Sequence, residues 1–101
     1  MASLSSIGSS GLQAAQLRLD ASANNVANAN TPGYRRLSVA QQAVADSAGV
    51  RATVEREANE KGVALEQEAV EQMSATYAFK ASLQTTKTQD QMLGSLLDVK
   101  A

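Results

Sequence analysis

The stretch from Val63 to Asp98 contains no proline and a single glycine, Gly94. Proline breaks a helix by removing an N–H and colliding with the preceding turn, and glycine weakens one. Their near absence predicts one long helix over this stretch. At about 1.5 Å per residue it runs on the order of 50 Å. A rod of that length points to an elongated molecule, and the composition agrees. Of the 44 apolar residues, 19 are alanine, against ten leucines, eight valines and three aromatic residues. A compact core built from so few large side chains is thin, whereas alanine lets helices lie close along a long seam.

Residues 1–31 carry a second helical pattern. Ser5, Ser6, Ser9 and Ser10 offer N-caps, and Leu12, Ala15, Leu19, Ser22/Ala23, Val26 and Ala29 recur at three- and four-residue spacing. The stripe is narrow, as in a coiled-coil seam. The helix is expected to stop near Asn30, because Pro32 disfavours a helical Thr31 and Pro32-Gly33 suits the centre of a type II turn.

Between the helices, residues 32–62 change period. Val50, Ala52 and Val54 alternate with Arg51, Thr53 and Glu55, and "RRLSVA" alternates through Leu37 and Val39. With "ADSAG" as the turn, a β-hairpin of 35–44 with 49–57 is one reading. A helical or irregular linker is the other, since Ala and Gln dominate 40–45 and isolated hairpins are marginal in water. In the C-terminal region, 63–101, Leu65, Ala69, Met73 and Tyr77 form a stripe with Val70 and Ala81 beside it. The polar run Gln84–Gln91 then interrupts before Met92, Leu93, Leu96 and Leu97. That run fits either a solvated face or a polar contact in an assembly.

The chain offers little chemistry. It has no cysteine, no histidine and a formal charge of −1, so no catalytic residue, cofactor site or metal site is expected. Glu68 and Glu71 share a helix face, but nothing joins them to make a metal or acid–base site. No basic face suits nucleic acid. No apolar run of about 18 residues suits membrane insertion, and the N-terminus does not read as a cleaved secretory signal. A structural or interaction protein is the expectation, with no enzymatic activity.

The segment "SGLQAAQLRLDASANNVANANTPGYRR" resembles the N-terminal signature of the bacterial flagellar axial proteins of the rod and hook. Ser10, Gly11, Leu12, Leu19, Ala23, Asn24, Asn25, Val26, Ala27, Asn28, Thr31, Gly33, Tyr34 and Arg35 carry it. The C-terminal stretch resembles the family's other end through Val63, Leu65, Glu68, Met73, Ala75, Phe79, Ala81, Thr88, Asp90, Met92, Leu93, Leu96 and Leu97. With only a short segment between them, the chain looks like a minimal rod-type subunit.

The resemblance implies a mainly α fold, with two long terminal helices paired as an antiparallel coiled-coil-like hairpin around a short β-hairpin or irregular insert. It implies a structural subunit of the basal-body rod, located in the periplasm and exported by the flagellar type III apparatus without a cleaved signal. Its partners would be further copies and other axial proteins. The expected subunit contacts are Leu12, Leu19, Asn24, Asn25, Val26, Asn28, Tyr34, Met73, Phe79, Met92, Leu93, Leu96 and Leu97. Replacing Asn25 and Asn28 with alanine is expected to spare the helicity of the free chain and impair assembly. Where family members usually carry Asp, Met and Asn, this chain has Ala64, Ala69 and Ser82. A second reading, a non-polymerising helical-hairpin adaptor or regulator derived from the same family, stays open.

Overall fold

The computed structural model describes residues 4–45, 49–58 and 62–100. Helix α1 spans Leu4–Ala27, strand β1 Leu37–Ala43, strand β2 Val50–Arg56 and helix α2 Leu65–Lys100. The molecule extends 63 × 25 × 14 Å, so α2 sets its long axis, as the proline-free stretch predicts. The fold is mainly α, with two long helices flanking a two-stranded antiparallel insert.

The helices run antiparallel. Ser22 meets Glu68, Arg18 meets Ser74, Gly11 lies against Ser82 and Gly8 against Thr86. The seam follows Gly8, Gly11, Ala15, Arg18, Ser22 and Asn25 on α1, alternating three- and four-residue steps. Ala75 and Ser82, one heptad apart, face it from α2. Among the described residues the buried apolar side chains are all alanine: Ala14 and Ala15 at 3% and 1% exposure, Ala21 at 6%, Ala75 at 0%. Close approach is what these side chains contribute. A Cβ added at Gly8 would lie 2.6 Å from Thr86 Oγ1.

The seam is therefore rotated from the stripes read in the sequence. Ala15 and Ser22 are in it, but Leu12 and Leu19 sit half-buried beside it and Val26 is exposed. On α2 the stripe Leu65, Met73 and Tyr77 faces outward, at 56%, 64% and 74% exposure. The reason is geometric: the insert covers one flank of α1, and the two backbones approach too closely for leucine between them. Within the polar run, Thr85, Thr86 and Gln89 are half-buried and the other residues are exposed.

Helix α1 ends at Ala27, three residues before the expected stop, and Asn28–Asn30 form turns. The Pro-Gly turn follows. Tyr34 N–H donates to the Thr31 carbonyl at 3.2 Å, and Gly33 takes φ 73°, the left-handed value that position i+2 of a type II turn requires. The hairpin is present: β1 starts two residues later and ends one earlier than expected, and β2 is one residue shorter at each end. Its register runs from Leu37 opposite Arg56 to Ala43 opposite Val50. Val44 N–H donates to the Gly49 carbonyl at 2.9 Å beyond the last pair. Residues 46–48 of the expected turn lie outside the described residues.

Candidate functional site: a polar node and the exposed apolar faces

The asparagine-rich end of α1 meets the start of β1, the end of β2 and the first turn of α2 in one place. Asn25 is 1% exposed. Its Nδ2 donates to the Leu37 carbonyl at 2.8 Å, and its Oδ1 accepts the Leu37 N–H at 2.8 Å. One side-chain amide thus pairs with β1 as a neighbouring strand would. The same Nδ2 donates to Glu68 Oε1 at 2.6 Å, and Tyr34 Oη donates to Asn25 Oδ1 at 2.9 Å.

Glu68 has 0% exposure, so an ionised carboxylate there requires partners. Arg36 supplies them, donating through Nε and Nη2 to Oε2, both at 3.3 Å, and through Nη1 to Glu57 at 3.0 Å. Burial works against the Arg36 charge, but hydrogen bonds to Glu57 and Glu68 outweigh it and hold its pKa above the ordinary arginine value. Around this centre Gln72 donates to Ser22 Oγ and Ser22 to the Glu68 carbonyl. Arg18 bridges Glu71 at 2.6 Å and Ser74 at 2.9 Å. The two glutamates that share a face in the sequence are thus each taken by a different arginine.

Of the residues expected at subunit contacts, Asn24, Asn25, Asn28 and Tyr34 come together here. Asn25 is buried inside the chain, where its amide holds the chain's own insert. Tyr34 is half-buried, bonded to both Asn24 and Asn25, and stacks under Arg56 with the guanidinium carbon 5.4 Å from its ring centre. Asn24 is exposed and Asn28 half-buried, and they bond each other. Phe79 is half-buried near the seam, and Met73 is exposed on the outer face of α2.

Met92, Leu93, Leu96 and Leu97 are 60%, 51%, 61% and 68% exposed. Ser82, Thr86, Leu93 and Leu97 step by four and seven residues, so they share one face. That face holds α1 as far as Thr86 beside Gly8. Counting one helical turn further brings Leu4 level with the region of Asp90. Beyond that level the seam continues as leucine, with no described residue of α1 against it.

The sequence reasoning missed Arg36, Glu57, Glu68, Arg18 and Glu71 as a working set. Nothing local couples residues 18 and 71 or 36 and 68. Among the described residues no three His, Cys, Asp or Glu side chains gather as metal ligands, and no helix is long and apolar enough to cross a membrane.

The chain is a helical hairpin closed by polar bonds, with large apolar side chains of α2 such as Met73, Met92, Leu93, Leu96 and Leu97 exposed. Residues 6–35 match the family described as flagella basal body rod protein. The N-terminal third of the chain is thus similar to that family, a likeness that supports a structural role in the flagellar basal-body rod. The matched segment runs from the first turn of α1 to the residue after Tyr34, and so takes in Asn25 and the Pro-Gly turn. No curated protein matches the chain.

Proposed function

We propose that the chain is a minimal rod subunit that joins the rod by packing its exposed helix faces against further copies and other axial proteins. The observation that carries this is the seam face of α2, which continues beyond the described residues of α1 as exposed Leu93, Leu96 and Leu97. Large apolar side chains left on a coiled-coil seam favour another helix there, since burying each contributes about 1.5–3 kcal/mol. Leu12, Leu19, Val26 and Met73 supply further contact area on the outer faces. The polar node keeps the insert fixed to α1 while neighbours dock. Subunits repeat head to tail without closing into a ring. The chain reaches the periplasmic rod through the flagellar type III apparatus.

The adaptor reading has one observation in its favour: the polar node is satisfied within a single chain, so the hairpin needs no neighbour to close it. The two readings separate on purified basal bodies from a flagellated cell. Detection of the chain there, resistant to a salt wash, is the outcome expected for a subunit. A chain found only in the soluble fraction contradicts that reading and favours the adaptor.

A further inference from the structure

We propose that the free edge of β1 is a pairing surface for the same edge of a second copy of this chain. This goes beyond the rod reading and does not depend on it. The ladder phase follows from two bonds: Glu57 N–H to the Arg36 carbonyl and Val44 N–H to the Gly49 carbonyl. Bonded pairs in an antiparallel ladder alternate with pairs whose N–H and C=O point outward. Leu37, Val39, Gln41 and Ala43 of β1 therefore point away from β2, as do Val50, Ala52, Val54 and Arg56 away from β1. Two side-chain bonds agree with this phase. Asn25 takes the outward groups of Leu37, and Ser10 Oγ accepts the outward Val50 N–H at 3.1 Å.

Helix α1 thus crosses the hairpin diagonally, closing the β1 edge at Leu37 and the β2 edge at Val50. At Val39, Gln41 and Ala43 the outward backbone groups of β1 have no partner among the described residues, and residues 40–43 are exposed. Folded proteins ordinarily protect such an edge with charge, proline or a bulge. β2 carries Arg51, Glu55 and Arg56, whereas β1, "LSVAQQA", carries no charge and no proline. Its own copy is the occupant the edge itself specifies. Antiparallel pairing about Gln41 sets Gln41 against Gln41 of the second copy and Val39 against Ala43, and no charges meet. Each free row satisfies the other, and two hairpins become one four-stranded sheet. An interface this small is weak, so the pair forms only at high concentration.

Amide exchange followed by NMR at low and high concentration, beside sedimentation equilibrium, tests this. The expected result is mass rising toward a dimer, with the Gln41 and Ala43 amides slowed about tenfold and those of Ala52 and Val54 unchanged. Gln41→Pro removes an outward N–H and no ladder bond, so it should stay monomeric with native helicity. If that variant loses helicity, Gln41→Lys takes its place and the wild-type exchange data still decide. Exchange at Gln41 and Ala43 that is independent of concentration overturns the proposal. So does a dimer that persists in the folded Gln41→Pro variant, because the contact would then lie on the α2 leucines.

Discussion

At the scale of single residues, Asn25 and Asn28 separate cleanly although both are amides at one helix end. Asn25→Ala leaves the Leu37 N–H and carbonyl without partners and removes a donor from buried Glu68. Each buried unsatisfied group costs about 1–3 kcal/mol. Chemical denaturation of Asn25→Ala should therefore show a loss of about 2–4 kcal/mol, with the hairpin amides exposed to exchange. Asn28 bonds only Asn24 and Thr31, near the surface, so Asn28→Ala should change stability by less than about 1 kcal/mol. Equal effects of the two substitutions would show that the Asn25 clamp does not organise the insert. Glu68 and Arg36 form a second residue-level test. Glu68→Ala leaves Arg36 among buried groups with only Glu57 and should destabilise by about 3 kcal/mol. A double-mutant cycle with Arg36→Ala should show strong coupling, and additivity would contradict the node.

At the scale of elements, much was legible. The proline-free stretch marks α2, the Pro-Gly pair marks the turn, and the period-two alternation offers the hairpin as one of two readings, with strand bounds within two residues of those observed. What escaped was the face each helix buries. Ala15 and Ser22 are in the stripe read from the sequence, but Gly11 and Arg18 give no hydrophobic signal, so the stripe takes Leu12 and Leu19 one position away. On α2, Ala75 and Ser82 are silent beside Met73 and Tyr77. The node was illegible for a different reason: Asn25 with Leu37 and Arg36 with Glu68 are contacts between distant segments, and no local pattern encodes them. The seam account has its own test. Ala75→Leu forces a large side chain between closely spaced backbones, and overpacking of this kind costs about 1–3 kcal/mol. Thermal melts followed by circular dichroism should shift down accordingly, whereas Met73→Ala, on the exposed face, should leave the melting temperature nearly unchanged.

At the scale of the whole molecule, the chain separates two kinds of adhesion. Polar bonds and small residues close the hairpin, and the large apolar side chains that stay exposed on α2 are the surface proposed to meet other chains. The central claim is that the α2 face carrying Leu93 and Leu97 docks on neighbouring helices in the rod. The most direct measurement replaces the native chain with Leu93→Asp/Leu97→Asp in a flagellated cell and quantifies the chain in purified basal bodies. The account predicts a variant with native helicity that is lost from the basal body while the wild-type chain is retained. Incorporation of the folded variant at the wild-type level would contradict it.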